Sequence, residues 1–440
     1  MTYEEAMQFW FGRVNFEIKS PQAGDFKLDR MRRLLALLGN PQDRLRIVHI
    51  AGSKGKGSTS AMLASILQTQ GYRVGLFTSP HLIDVEERIQ IDREPIARHE
   101  LTALLTEIRE RSAGFVDELT FFEIGTAVGF LHFVRRRVDF AIVEVGLGGR
   151  FDTTNVCTPL VSVITSISYD HTQVLGNTLA QIAFEKAGII KPGRPVVSGV
   201  RNREARAVIQ ETCGKRGSSL TQLGEDYRYA HQPALIGGDA DRPSHVSITT
   251  NRRAWPSMAV GLIGEHQARN AAAAVAVAER LMAHGIPIGD SAVARGLADV
   301  AWPARLEIVA RRPLVVLDCA HNVASAQALV QALDESLPLD GGRRLLIFAA
   351  NRDKDIGGML EVMAPKFEGI YLTTFQNNTR CATLDHLTAF EPIVKHPACR
   401  TFAHSADAWN AARADARASD LICITGSVFL AGELRPLAGK

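Results

Sequence analysis

The run Gly52-Ser53-Lys54-Gly55-Lys56-Gly57-Ser58-Thr59 follows a short β-branched segment and opens a helical one. Backbone amides of such a turn can wrap a polyphosphate. The start of the following helix adds its positive end, and a lysine beside a hydroxyl serves phosphate and Mg2+. The run is not a literal Walker A sequence, because Ile50 stands where the first glycine of G-x-x-x-x-G-K would fall. It is a shorter phosphate loop; the plain alternative is a turn with two solvated lysines. Ser79 in Thr78-Ser79-Pro80-His81, Glu144 ahead of Gly146-Leu147-Gly148-Gly149-Arg150, and His171 in Tyr169-Asp170-His171 each close a neighbouring β-branched segment. In a parallel sheet such strand ends share one edge, the edge where ligands bind. Taken singly, Glu144 could be solvated and His171 a packed structural histidine. Converging with the Ser58 hydroxyl, they form the donor set a Mg2+-nucleotide site needs. Lys186 reads by itself as a helix-end cation. Asp318 and His321, in Asp318-Cys319-Ala320-His321-Asn322, close a strand further along, and caps or ion pairs account for them equally well.

The elements that must position these residues alternate in type. Segments 46–51, 73–77, 140–145 and 161–166 read as buried strands, with an amphipathic helix over 58–70 stopped by Gly71. A helix over 28–39 precedes them, and a stretch over about 219–264, rich in Gly, Pro, Thr and Ser, predicts a small antiparallel sheet beside the main one. After an Ala-rich helix near 268–284, Trp302-Pro303 breaks the chain. Strands then recur over 313–318, 344–349, 369–374 and 420–425. The expected fold class is α/β: a phosphate-loop domain on a mostly parallel sheet with a small β subregion, over 1–300, then a smaller Rossmann-like α/β domain over 301–440.

Composition bounds the rest. A chain of 440 residues suggests two to three domains at about 150 residues each. With 46% apolar and 22% charged residues it can bury real cores. Fifty Lys and Arg against 47 Asp and Glu leave +3, which argues against nucleic acid as a partner. The six cysteines never fall within three residues of one another, so no local redox pair or zinc knuckle can form, and a reduced, intracellular protein is expected. The acidic N-terminal segment does not fit a signal peptide, and the strongly apolar run 271–278 is far short of the roughly 20 residues of a membrane span. A cytoplasmic protein without membrane partners is expected.

Taken in order, GSKGKGST, TSPHL (78–82), LTFFE (119–123), EVGLGGRFDTTN (144–155), DH (170–171), EKAGIIK (185–191), WPARLE (302–307), DCAHN (318–322) and DKD (353–355) resemble the motif set of the folylpolyglutamate synthase and dihydrofolate synthase family, within the Mur-type amide ligases. The resemblance covers nearly the whole chain. It implies a Mur-type central domain and an ATP-dependent ligase that phosphorylates a carboxylate and lets the amine of L-glutamate attack the acyl phosphate. It further implies that Gly55, Lys56, Gly57 and Ser58 hold ATP phosphates, and that Ser58, Ser79, Glu144 and His171 ligate Mg2+, with K+ admitted as a further cation. Lys186 matches a lysine that becomes carbamylated. Asn270, Arg305 and Asp318 match nucleotide contacts, and His321 a residue near nucleotide and glutamate. Thr120, Phe121, Phe122, Glu123, Asp152 and Thr153 match contacts to a pterin-bearing acceptor, and Asp25, Phe26 and Lys27 match an N-terminal one. Phe121 or Phe122 could stack a pterin, with core packing equally open for either. Family members are typically monomeric.

Several positions depart from the family pattern. Lys54 replaces a usual Asn, Phe151 and Thr153 replace Leu and Ala of L-D-A-T-N, Lys27 replaces a frequent Gly, and Ala304 replaces Gly before Arg305. These changes touch substrate contacts and turns more than the metal donors. Two rivals stay open at this point: a Mur-type ligase of peptidoglycan precursors, disfavoured by TSPHL and LTFFE, and a non-ligase ATP-binding switch.

Overall fold

The structure is a computed structural model that describes residues 1–16, 27–237, 241–376 and 378–439. Asp25 and Phe26 lie outside the described residues. The chain divides into two compact units. The first holds Met1–Ala230, Ser247–Met258 and Arg269–Val300, and the second holds His231–Val246, Ala259–Ala268 and Ala301–Lys440.

The first unit is built on β1 (Ile47–Ala51), β2 (Val74–Phe77), β3 (Ile89–Ile91), β4 (Glu94–Pro95), β5 (Phe140–Glu144), β6 (Val161–Ile164), β7 (Val196–Ser198) and β8 (Leu220–Gln222). They form one sheet in the order β4-β3-β2-β5-β1-β6-β7-β8. From β2 across to β8 every pair is parallel, and only β3, antiparallel to both β2 and β4, runs against the rest. The central strands are buried along their full length, as continuous β-branched runs in a sheet covered on both faces must be. β1 lies between β5 and β6, so the loop after β1 emerges between the ends of two parallel neighbours, the crevice where α/β sheets bind ligands. The helix Lys56–Thr69 carries that loop, with buried residues from Ser58 to Leu67, which fixes the loop to a rigid element.

The stretch expected as one small sheet beside the main one is partitioned differently. Residues 220–222 join the main sheet as β8. β9 (Tyr227–Gln232), β10 (Ser244–Thr250) and β11 (Met258–Val260) form a separate three-stranded sheet through which the division of the chain passes. The polar, turn-rich composition of 219–264 marks short strands but carries no signal of which sheet each joins.

The second unit orders β12 (Glu307–Arg311), β13 (Leu314–Leu317), β14 (Arg344–Phe348), β15 (Gly369–Leu372), β16 (Cys399–Thr401) and β17 (Leu421–Thr425) as β12-β13-β17-β14-β15-β16. β12 pairs antiparallel with β13 and all other pairs are parallel. Its core is formed by β13, β14, β15 and β17 together with the helices Val323–Ser336 and Ile356–Met363. The molecule is α/β throughout, a large, mostly parallel sheet domain followed by a second α/β sheet domain.

Candidate active site

The phosphate loop is held from behind by the exit of β6. Ser53 N–H donates to Ser166 O at 2.8 Å, Lys54 N–H to Ser166 Oγ at 2.9 Å, and the Thr165 hydroxyl to Lys54 O at 2.6 Å. Gly55 takes φ +82 immediately before the helix. A Cβ there would stand 2.3 Å from Asn270 Oδ1, so the glycine requirement and the approach of Asn270 are one fact. No side chain caps this helix start, which leaves the first amides of Lys56–Thr69 directed at the loop.

Around the loop the lysines are half-buried and paired with buried carboxylates. Lys56 Nζ lies 3.7 Å from Glu144 Oε1, and Ser79 N–H reaches Glu144 Oε2 at 3.4 Å. β1, β2 and β5 therefore deliver Lys56, Ser79 and Glu144 to one place. Lys54, the departure from Asn, makes an ion pair with Asp170 at 2.9 Å, so its charge is met by a carboxylate. His171 follows at φ +50, a left-handed conformation, with Nε2 3.7 Å from Asp170 Oδ1. Asp170 had no role assigned from sequence, although it stands in the DH pair. Its partner Lys54 lies 116 residues away, a separation that no local pattern exposes.

Lys186 ends the helix Leu179–Ala187 and is buried, 4% exposed. Burial first, and the neighbouring Lys56 second, push its amine down from the ordinary 10.5 to about 7. Lys54, Asp170 and Asp152 are also within electrostatic reach, which places Lys186 with the phosphate-loop group.

The acceptor candidates divide. Phe121 is core, stacked on Trp10 with centroids 4.8 Å apart, and the Trp10 indole N–H donates to its carbonyl at 2.8 Å. The pterin-stacking expectation fails for Phe121, because helix Phe121–Arg135 turns it toward the inner face. Glu123 is buried as the other half of a capping box with Thr120 and is paired with Arg30 at 3.1 Å, so both residues organise the helix start. Phe122 is partly open. Its ring covers Gly146, where a Cβ would meet it at 2.4 Å. Asp152 is buried, with Oδ1 accepting from Thr154 N–H and Oδ2 from Leu147 N–H, so its carboxylate holds its own loop. Burial raises its pKa and those bonds oppose the rise. The Thr153 hydroxyl meets that of Thr126 at 2.6 Å, which ties the 152–154 turn to the Thr120–Glu123 helix. Lys27 is exposed at the start of helix Leu28–Leu37.

In the second unit Asp318 accepts from Leu306 N–H at 3.0 Å and from Ala320 N–H at 2.7 Å, joining the W-P-A-R turn to the end of β13. Burial raises its pKa, opposed first by the nearby Arg305 guanidinium. Ala304 and Leu306 flank Arg305 at φ +52 and +49, and Ala304 N–H is held by Glu307 at 2.9 Å. Left-handed residues of this kind survive only where the surroundings impose them. His321 Nδ1 lies 2.8 Å from Cys319 O.

Among the described residues no group of three or more His, Cys, Asp and Glu side chains gathers into a cation cage. The donors at the loop fit a different arrangement. The Ser58 and Ser79 hydroxyls and the Glu144 carboxylate are hard oxygens beside a phosphate cradle, and Mg2+ is bound through one or two carboxylates plus the phosphates and water.

The chain matches the Mur ligase middle domain over residues 50–278 and the Mur ligase glutamate ligase domain over 304–428. It is 38% identical over 379 residues to the dihydrofolate synthase/folylpolyglutamate synthase of Bacillus subtilis, covering 85% of each chain. The chain belongs to the folylpolyglutamate synthase and dihydrofolate synthase family. Members of this family are ATP-dependent glutamate ligases. The Escherichia coli member is 32% identical over 92% of this chain and 89% of its own. The structure of E. coli FolC in complex with DHPP and ADP superposes with TM-score 0.86 at 29% identity, covering 99% of this chain and 97% of that one. Mycobacterium tuberculosis folylpolyglutamate synthase complexed with ADP gives 0.89 at 30%, over 100% and 98%. Among the described residues no helix is long and apolar enough to cross a membrane.

Proposed function

We propose that this chain joins L-glutamate to dihydropteroate, to the γ-carboxylate of folate glutamates, or to both, at the expense of ATP. The observation that carries this reading is the pairing of half-buried Lys56 with buried Glu144 at the mouth of the phosphate loop, with Lys186 within reach of Lys56. Gly55, Gly57 and Ser58 cradle the phosphates by their amides. Lys56 meets the charge that develops on the γ-phosphoryl oxygens as the acceptor carboxylate attacks phosphorus and ADP leaves. Asn270, which approaches Gly55, contacts the nucleotide beside the loop. The amine of glutamate then attacks the acyl carbon, the carbon–oxygen bond to phosphate breaks, and the amine proton leaves with the departing group or to solvent.

Ser58, Ser79, Glu144 and His171 would hold Mg2+, which supplies charge neutralisation and alignment of the phosphates when bound. Lys186 is poised for carbamylation: with its pKa lowered to about 7 a large share of the amine is unprotonated at neutral pH, where it can add CO2 and lose a proton, becoming an anion next to the cationic loop. The protein acts as a cytoplasmic monomer, with ATP, glutamate and the pterin acceptor as its partners.

The test is phosphate release with ATP, Mg2+ and L-glutamate, comparing dihydropteroate with tetrahydrofolate and identifying products by mass. Turnover that needs both an acceptor and glutamate supports the ligase; ATP hydrolysis indifferent to both overturns it. Lys186→Ala should lose about 10^2-fold in turnover, with partial recovery on adding short carboxylates. Wild-type rates should also fall in CO2-depleted buffer and recover with bicarbonate, more slowly below pH 7, where Lys186 holds its proton. Rates indifferent to CO2 would remove the carbamate.

A further inference from the structure

His49 lies in the middle of β1, three residues before Gly52 of the phosphate loop, and is fully buried. Its Nε2 is 2.8 Å from the Thr154 hydroxyl. That hydroxyl donates to Asp152 Oδ1, whose other oxygen holds Leu147 N–H. A hydroxyl has one proton, so if Thr154 gives it to Asp152, the bond from His49 must run the other way, Nε2–H to Thr154 Oγ. This fixes the tautomer and leaves Nδ1 as a bare acceptor. Nδ1 is among the buried atoms with no hydrogen-bond partner, an orphan of the less costly kind. Burial and the ammonium of Lys191 keep the ring neutral, down to about 3 from 6.5. The chain of donors is therefore one-directional and uninterrupted from the phosphate-loop strand to the 146–154 turn.

That turn is tied elsewhere to other elements that carry candidate site residues. Thr153 is bonded to Thr126 on the Phe121–Arg135 helix, and Asn155 Nδ2 to Gly188 O at 3.1 Å, two residues beyond Lys186. Among the described residues, only the link through Thr154 reaches β1 by a side chain from the strand interior. A buried ring that leaves one nitrogen unsatisfied is a costly way to fill a core position that Val or Ile would fill on a parallel strand. The cost is understandable if the bond sets where the turn sits.

We infer that His49 is a positioning residue for the acceptor substrate: through Thr154 and Asp152 it sets the 146–154 turn in register with the phosphate loop. The inference rests on the ligase reading. It adds that acceptor binding, rather than ATP binding, depends on a residue of the nucleotide strand that touches neither substrate.

The experiment measures KM for acceptor, KM for ATP and kcat in wild type, His49→Leu, His49→Gln, Thr154→Val and Thr154→Ser, with thermal midpoints alongside. Gln can place an amide donor near Nε2, and Ser keeps the hydroxyl. His49→Leu and Thr154→Val should raise the acceptor KM about tenfold or more while ATP KM stays within about twofold. His49→Gln and Thr154→Ser should stay within about threefold of wild type. Should both His49 variants fail to fold, the Thr154 pair decides alone. Acceptor KM unchanged in Thr154→Val, or equal losses in ATP and acceptor KM, would overturn the inference. A wild type without acceptor-dependent turnover would instead remove the ligase reading, and the acceptor role of His49 with it.

Discussion

Two turns in this molecule begin alike and end differently. The loop 52–58 follows β1, and the segment 318–322 follows β13; each leaves the carboxyl end of a buried parallel strand and opens a helix. At the first, Gly55 precedes the helix with no side-chain cap, and the lysines at 54 and 56 are held by Asp170 and Glu144. At the second, Asn322 caps helix Val323–Ser336: its Oδ1 accepts from Ser325 N–H, and the Ser325 hydroxyl accepts from Asn322 N–H. A helix start that satisfies its own amides has little left for an anion, whereas one left open behind a glycine is a phosphate cradle. Position at a sheet edge makes a ligand turn possible, and the capping chemistry decides which kind.

The sharpest way to break this contrast is at the first turn. Glu144→Ala removes the buried carboxylate facing Lys56 at a strand end, so amide formation should fall by about 10^3-fold or more, and Glu144→Gln, which keeps the volume, should lose as much with circular dichroism unchanged. Near-normal turnover would mean that the charges at this loop serve only the fold. Gly55→Ala comes next, with an expected loss of about 10^2-fold, chiefly in ATP KM, because the new methyl meets Asn270 at φ +82. Gly71→Ala is its control. Gly71 has φ +103 but open space around its Cβ position, so it should cost about 1 kcal/mol of stability and leave ATP KM alone. If the two variants behave alike, the approach of Asn270 has no bearing on the nucleotide.

How much of this was legible in the sequence follows from the range of each interaction. The strands over 46–51, 140–145, 313–318 and 420–425 were readable because a strand buried on both faces is apolar along its whole length. The phosphate loop was readable because all its parts are within eight residues. Lys54 with Asp170, Thr126 with Thr153 and His49 with Thr154 were not, since each joins residues 27 to 116 apart and neither partner carries a local signature. Phe121 and Phe122 show the limit most plainly. Adjacent aromatic residues at a helix start are indistinguishable in composition, and only the direction in which Trp10 packs sends one into the core.

A smaller effect separates the interior of the first unit from its rim. Folded His49 stays neutral to about pH 3, while in the unfolded chain it binds a proton near 6.5. Between these values the unfolded state holds the extra proton, so this contribution is fully present above pH 6.5 and is lost as pH falls toward 3. The loss should be about 2 kcal/mol by pH 5. Denaturant unfolding at pH 7 and pH 5 checks it, with His49→Gln as reference: the wild type should lose more than the variant, and equal losses would mean the ring is accessible to protons.

The smallest effect tests the second turn. Asn322→Ala removes a cap oxygen from Ser325 N–H and should cost about 1 kcal/mol, seen as a modest fall in the thermal midpoint of the unit that carries it. Asn322→Asp keeps an acceptor at the same place and should stay near wild type. Because the helix start is already satisfied from within, ATP KM should change by less than about threefold in either variant. If Asn322→Ala instead raised ATP KM as far as Gly55→Ala does, with the midpoint unmoved, the amides at 323–325 would be serving the nucleotide. The division between a turn whose amides are open to phosphate and one whose amides are capped from within would then be wrong.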